Sequence, residues 1–433
     1  MRLYSTGSSP DRTDFRTAVK RGLAPDGGLF LPERLPQPAP SFWSEMKGTC
    51  IKDKAHRVFD LLLEDDFSSE QRHEIVERAF TFDAPLVTLD DRTRILELFH
   101  GPTLAFKDFG ARTMAAILSV LAAEQGEKIT IVTATSGDTG AAVAHGFHKA
   151  PGVEVFILYP GGQVSPLQEK QFTTLGDNIT ALEVEGTFDD CQRLVKACFS
   201  DESIRSQKQL TTANSINIAR LLPQMIYYIH AVVEIQPAGR ELLPILCSVP
   251  SGNFGNLTAG LLARNMGLPV SRFVAATNIN HVVPDYLEDG SFQSKPSIRT
   301  ISNAMDVGNP SNFDRMLDMY DHDHKKMAGD IKGAWFDDEK TGRAIRDVWQ
   351  RHRYLMDPHT AVGYLGYLEH RTPEDHGLIL ATAHPAKFPE TINKLVPGAL
   401  DTPDKLTRLA GKEKKSLPVP ADIRAVKERL LGS

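Results

Sequence analysis

From about residue 93 onward the hydrophobic and polar positions repeat one rhythm: a short apolar run, a polar glycine-bearing loop, then apolar positions at helical spacing. Residues 95–99 form the first apolar run, and 107–124 carry Met114, Ile117, Leu118 and Leu121 on one side of a predicted helix. Residues 128–135 are rich in β-branched side chains and precede a predicted helix over 139–148. A continuous apolar strand is predicted over 153–159. Ser165 then caps a helix whose first position is Pro166. Strand 179–184, helix 189–199 and a long helical pattern over 216–235 follow, with Pro223 predicting a kink or boundary in the last. Strands at 245–249, 272–276 and 378–381 and a helix at 257–266 complete the rhythm. Such alternation predicts an α/β protein with parallel sheets covered by helices on both faces.

Two stretches depart from it. Roughly the first 85 residues contain the turn-dense segment GLAPDGGLFLP (22–32) and a charged helical stretch over 66–80, which predicts a small mixed N-terminal domain. Residues 285–345 are weakly patterned and polar, as expected of a surface elaboration, and the tail from Lys412 reads as a solvated face with a terminal helix. A chain of 433 residues exceeds one core and predicts two or three domains.

Composition narrows the partners. A formal net charge of -6 argues against nucleic acid, whose phosphates need a basic face. No run of 18 or more apolar residues predicts a membrane span, and the polar start lacks the apolar region of a secretory signal, so a cytoplasmic location is expected. Cys50, Cys191, Cys198 and Cys247 form no C-x-x-C pair and are expected as reduced thiols, with Cys191 and Cys198 on one buried helix face. The run Asp321-His322-Asp323-His324 beside Lys325-Lys326 reads as solvated charge, and no metal site is expected. His145 reads as structural and His148 as exposed.

The loops carry the candidate chemistry, because ligands of open parallel sheets gather at the carboxyl ends of strands. In HGPTLAFKDFG (100–110), Lys107 stands where extended chain becomes helix. A lysine amine forms a Schiff base with an aldehyde cofactor, and burial beside cations lowers its pKa so that it acts as a base. In TATSGDTG (133–140), hydroxyls, glycines and free N–H groups at a helix start suit a carboxylate or phosphate. In VPSGNFGN (249–256), glycines let the backbone approach a dianionic phosphate without a lysine. Neither a Walker loop nor a dinucleotide fingerprint is present. In ANSINIARL (213–221), Arg220 is placed to clamp a second phosphate. Residues 380–388 place polar groups at another strand end.

Together with SPLQEKQ (165–171), SNAMDVGNPSNF (302–313) and TAHPAKF (382–388), these segments resemble the fold type II pyridoxal-phosphate enzymes of the tryptophan synthase β family. Within that group they resemble the threonine synthase family in its longer form, whose opening domain is similar to GLAPDGGLFLP, and the likeness covers nearly the whole chain. The resemblance implies two parallel-sheet, helix-covered subdomains behind an N-terminal domain. Residues 1–85 form that domain and 86–433 the catalytic region, with about 100–212 a smaller mobile subdomain and 86–99 with 213–433 the larger. It implies pyridoxal 5'-phosphate as cofactor, with Lys107 the Schiff-base lysine. Gly252, Asn253, Phe254, Gly255 and Asn256 would cradle the cofactor phosphate, and Thr382 would meet the pyridine nitrogen.

The implied substrate is O-phospho-L-homoserine. Its carboxylate would lie on Ser136, Gly137, Asp138 and Thr139, and its phosphate on Asn214, Ser215 and Arg220. The implied reaction is γ-elimination of phosphate followed by water addition to give L-threonine, with Lys107 as the base. A dehydratase or other eliminating lyase of the same fold would have no use for a clamp on substrate phosphate, and a non-catalytic phosphate-binding relative would have no use for Lys107. The sequence does not choose between a monomer and a homodimer.

Overall fold

In the computed structural model, which describes residues 1–237, 239 and 241–432, fourteen strands sort into three sheets. In chain order they are β1 (Arg2–Ser5), β2 (Arg12–Asp14), β3 (Phe30–Pro32), β4 (Leu86–Thr88), β5 (Thr93–Glu97), β6 (Ile129–Ala134), β7 (Val153–Pro160), β8 (Ile179–Glu185), β9 (Gln209–Thr211), β10 (Ile245–Pro250), β11 (Arg272–Thr277), β12 (Ile331–Trp335), β13 (His376–Ala381) and β14 (Ser416–Pro420). The small N-terminal sheet, β2-β1-β3, is antiparallel. A six-stranded sheet runs β12-β11-β10-β13-β5-β4 and is parallel except for β4. A five-stranded sheet, β14-β8-β7-β6-β9, is parallel throughout.

The apolar runs become strands because both faces are covered. Every residue of β6 and of β10 is buried, which is why their sequences, ITIVTA and ILCSVP, do not alternate. The helices start where capping side chains satisfy free N–H groups. Ser165 accepts from the Gln168 N–H ahead of Pro166–Thr173, and Thr187 and Asp190 form a reciprocal capping box at Phe188–Ser200. The long helical pattern breaks at Pro223 into Ile218–Leu221 and Gln224–Ile235, since proline offers no N–H to the preceding turn. Cys191, Cys198 and Cys247 are buried, and Cys50 is exposed.

The N-terminal unit adds the helices Ile51–Leu63 and Ser69–Ala79 to its sheet. Its core is continuous with that of the rest: Phe80 and Phe82 lie 5.9 and 4.6 Å, centroid to centroid, from Phe109 on the helix Lys107–Gln125. The buried Lys54 donates to Glu234 at 2.7 Å. The helix Lys107–Gln125 therefore rests directly on this unit.

Two expectations are corrected. Residues 285–345 are a surface elaboration only in part: 291–299 are exposed, but the rest is built into the fold. They supply β12 to the six-stranded sheet and Arg315, one of the largest fully buried side chains. The tail is more than a solvated face counted with the larger sheet. β14 pairs in parallel with β8 of the smaller one, and the helix Ile423–Leu431 buries Val426 and Leu430. Both strands, IKGAW and SLPVP, are five-residue edge strands with partly exposed side chains, so neither produces the continuous apolar run of a central strand.

Candidate active site

Five loops leave the carboxyl ends of parallel strands: 98–107 after β5, 382–387 after β13, 251–256 after β10, 135–139 after β6 and 212–217 after β9. The first two are stitched together. The Phe106 N–H donates to the Thr382 carbonyl at 2.9 Å, the His384 N–H donates to the Leu104 carbonyl at 3.1 Å, and Ala105 bridges Ala383. Thr382, itself buried, is thereby fixed one residue from the start of the Lys107 helix.

Lys107 opens that helix. Burial pushes its pKa down, the cations of Lys387 and Arg220 push the same way, and Asp138 opposes them. Its neighbour Asp108 is fully buried. It accepts from the Thr103 N–H at 2.8 Å and the Thr103 hydroxyl at 2.7 Å, which closes the loop ahead of Lys107, and burial raises its pKa to about 6. Across from Lys107 the 135–139 loop is shaped by Thr135, whose hydroxyl oxygen accepts from the N–H groups of Gly137 (3.0 Å) and Gly140 (2.8 Å). Ser136 is exposed and Thr139 half-buried. The Asp138 side chain is engaged within the protein: it accepts from Lys387 Nζ at 2.7 Å and from Gln168 Nε2 at 2.9 Å.

The 251–256 loop fits a phosphate. A Cβ on Gly252 would stand 2.7 Å from the Ala304 carbonyl, so only glycine fits beneath the turn Asn303–Met305. Phe254 takes a left-handed φ of 59° immediately before the helix Gly255–Asn265. Asn256 accepts through Oδ1 from the hydroxyls of Tyr227 (2.6 Å) and Tyr228 (2.8 Å), and its buried Nδ2 has no protein acceptor. A donor left over in this way, next to helix-start N–H groups, matches an anionic group that comes from outside the chain.

The covering turn is held by His359. Its Nε2 accepts from the Ala304 N–H at 3.1 Å, which leaves Nδ1 to donate to Asp357 at 2.6 Å. Gly252→Ala is expected to weaken cofactor binding by about 1–3 kcal/mol, roughly 5- to 150-fold, through this clash. Titration of the cofactor's absorbance checks it, and unchanged affinity would remove Gly252 from the cradle.

The second anion-ready corner combines Asn214, Ser215 and Arg220. Asn214 Oδ1 accepts from the Thr133 hydroxyl at 2.7 Å, tying this loop to β6. Arg220 is buried and donates to the Ala213 carbonyl. Its Nε has no protein acceptor, and burial lowers its pKa to about 10. A Cβ on Gly110 would stand 2.9 Å from that Nε, so a glycine on the Lys107 helix makes room for the guanidinium.

Arg315 supports the corner from behind. It donates to the carbonyls of Ser215 (3.3 Å), Ile216 (2.6 Å) and Phe30 (3.0 Å), and to Asn312 Oδ1 (2.6 Å). Asn312 donates to the Ser215 hydroxyl at 3.4 Å and through its N–H to the Asn253 carbonyl at 3.3 Å. One strut thus joins the two corners.

The chain matches the family model for pyridoxal-phosphate dependent enzymes over residues 93–382, that for the threonine synthase N terminus over 2–80, and that for the threonine synthase C-terminal region over 360–429. It is 43% identical over 432 residues to threonine synthase of Escherichia coli strain K12, covering 100% of both chains. The chain belongs to the threonine synthase family.

Solved structures of the family agree. The Escherichia coli threonine synthase crystal structure superposes with a TM-score of 0.91 over 100% of both chains. The pyridoxal-phosphate-bound threonine synthase of Brucella melitensis superposes at 0.93 with 33% identity, over 99% of this chain and 98% of that one. The fold type II architecture expected from the sequence is thus that of the threonine synthase family.

Reading motifs missed the side chains that act behind the threonine synthase loops. Lys387, Gln168, Asn312 and His359 look like ordinary polar residues in sequence, although the first three lie inside the motifs TAHPAKF, SPLQEKQ and SNAMDVGNPSNF. In the Asp-His run Asp321 and His322 are exposed, Asp323 caps a helix and the half-buried His324 lies 3.1 Å from the Leu287 carbonyl. His145 is half-buried, with its ring Nε2 out of reach of water, and desolvation lowers its pKa to about 4. His148 is only partly exposed and pairs with Asp177. No helix among the described residues is long and apolar enough to cross a membrane.

Proposed function

We propose that this chain converts O-phospho-L-homoserine and water to L-threonine and phosphate, with Lys107 as the catalytic residue. The observation that carries the reading is the meeting of a lysine of lowered pKa with two corners whose buried donors, Asn256 Nδ2 and Arg220 Nε, have no protein acceptor. The substrate and cofactor together bring one carboxylate and two phosphates, and three loops stand ready for them.

Pyridoxal phosphate, when bound, supplies an electron sink for charge left on carbon beside the substrate amine. The Gly252–Asn256 loop holds its phosphate, with Gly255 and Asn256 offering helix-start N–H groups, and Thr382 offers the ring nitrogen a neutral hydroxyl. The backbone of Ser136, Gly137, Asp138 and Thr139 holds the substrate carboxylate. Asn214, Ser215 and Arg220 hold the substrate phosphate and so direct its Cγ–O bond away from Lys107. The Lys107 amine takes the Cα proton, gives it up and so is free to take a Cβ proton as phosphate leaves from Cγ. Lys107 returns one proton to Cγ, water adds its hydroxyl at Cβ while its other proton goes to phosphate, and the proton taken first is restored at Cα. Movement of the smaller sheet and its loops against the larger keeps water out until phosphate has left.

The partner is a small molecule in the cytoplasm, with neither nucleic acid nor membrane involved. The net charge of -6 supports this. The test is to supply O-phospho-L-homoserine to the holoenzyme and measure threonine and phosphate together. Equal amounts are expected. Phosphate without threonine would replace this reading with an eliminating lyase, and neither product would send the search to other amino acids.

A further inference from the structure

The loop assigned to the substrate carboxylate contains a carboxylate of its own. Asp138 is 8% exposed and sits at the start of the helix Asp138–Phe147. An anion brought against residues 136–139 meets that charge within one or two residues, and like charges at such range in a buried site oppose each other strongly.

The larger sheet supplies the answer. After β13 the chain turns through Pro385–Lys387, and Lys387, 1% exposed at its side chain, extends Nζ to Asp138 Oδ1 at 2.7 Å and to the Thr103 carbonyl at 2.9 Å. Gln168 Nε2 donates to the same Asp138 oxygen at 2.9 Å. The pair spans the cleft: Asp138 follows β6 of the smaller sheet, Lys387 follows β13 of the larger, and Thr103 belongs to the loop that carries Lys107. The N–H groups of Gly137 and Gly140 already serve Thr135, whereas those of Ser136, Asp138 and Thr139 meet no acceptor among the described residues.

Resting on the function proposed above, we infer that Lys387 is a positioning and specificity-determining residue. It cancels the charge of Asp138 so that the 136–139 backbone accepts the substrate carboxylate, and it holds that loop in register with the Lys107 loop. The groups that face Asp138 are Lys387 from the turn, Lys107 from its helix, His359 from the helix Pro358–His370 and the neutral Gln168 from the helix Pro166–Thr173. Lys387 alone touches the carboxylate with a full charge. Without it, burial drives the Asp138 pKa upward, so the repulsion persists at neutral pH and fades as acid protonates Asp138.

The test is a cycle of holoenzymes: wild type, Lys387→Met, Asp138→Asn and the double variant. Binding of L-homoserine, which carries the carboxylate and no phosphate, is followed by the cofactor's absorbance at pH 8 and pH 5. KM and kcat for O-phospho-L-homoserine are measured alongside. Lys387→Met is expected to weaken L-homoserine binding about 30-fold or more at pH 8 and much less at pH 5. Asp138→Asn, which leaves Lys387 uncancelled, is expected to bind it at least as tightly as wild type. The double variant is expected to recover most of the loss.

A role confined to structure predicts instead that both single variants weaken binding, equally at both pH values, with lowered melting temperatures. That result overturns the inference, as does a double variant no better than Lys387→Met. If Lys387→Met does not fold, Asp138→Asn decides by the sign of its change. A wild type that binds L-homoserine yet makes no threonine sinks the proposed function and leaves this cycle readable. A wild type that binds no amino-acid carboxylate overturns both.

Discussion

Lys107→Ala is expected to leave a folded protein whose threonine production falls by about 10³-fold or more, the scale of a lost general base combined with a lost covalent anchor. Folding survives because, among the described residues, the Lys107 amine has no hydrogen-bonded partner that would be orphaned by its removal. Its neighbours act on it only through charge. The helix Lys107–Gln125 is held by its buried side, from Phe109 to Ala122, and by Asp108 at the turn before it. Alanine is the strongest helix former and costs nothing at this position.

Two further measurements separate loss of chemistry from loss of cofactor. Borohydride treatment of the wild type is expected to fix a stable mass increase on the peptide containing Lys107, and the same treatment of the variant is expected to leave that peptide unmodified. The Gly252–Asn256 cradle is intact in the variant, so the cofactor is expected to bind still, but reversibly. Full activity in Lys107→Ala, or a mass increase on another lysine, would move the catalytic role elsewhere. The sign of the pKa shift has its own consequence. Burial and the Lys387 and Arg220 cations favour the neutral amine. The acid limb of kcat, which reports the complex in which Lys107 is a free amine, is therefore expected to fall below the ordinary lysine range, so that Lys107 works as a base near neutral pH.

What was legible in the sequence follows from how each element is buried. Strands covered on both faces, such as β6, β7 and β10, stand out as unbroken apolar runs, and the loops at their carboxyl ends carry the glycines and hydroxyls that chemistry requires. Gly252 was visible for that reason, whereas Lys107 and Arg220, which follow the partly exposed strands β5 and β9, stood out through the motifs of their own loops. The edge strands β12 and β14 were not, because a strand with one neighbour keeps partly polar faces. The supporting residues were hidden for a different reason. Lys387 matters because β13 of one sheet and β6 of another bring their loops together, and no spacing within a single segment encodes that meeting. Arg315 is hidden most completely: it lies in a polar stretch that resembles surface, yet it is fully buried.

Arg315→Met tests what that burial does. Met approximates the length of the side chain and removes four donated hydrogen bonds at once, those to Phe30, Ser215, Ile216 and Asn312. Two effects compete. A fully buried guanidinium with no carboxylate partner is costly to desolvate, which is why its pKa is pushed down to about 9, and an apolar replacement recovers that cost. Against this, four acceptors lose their donor, each at about 1–3 kcal/mol where water cannot replace it. The acceptors win on these magnitudes, and a net loss of about 2–5 kcal/mol is expected, seen as a melting temperature lowered by several degrees.

The functional consequence is directional. Ser215 and Asn312 shift together, and Asn312 also donates its N–H to the Asn253 carbonyl, so both anion corners loosen. KM for O-phospho-L-homoserine is expected to rise by about tenfold or more while affinity for L-homoserine, which has no phosphate, changes little. Arg315→Lys keeps the charge and at most three donors on one atom, which cannot span carbonyls on the N-terminal sheet and the 214–216 loop together. It is expected to fall near Met in KM. If Lys restored wild-type KM, Arg315 would act by charge alone. If neither variant moved KM or melting temperature, the strut from Phe30 to Ser215 would carry no load, and the N-terminal unit would have no part in setting the substrate-phosphate corner.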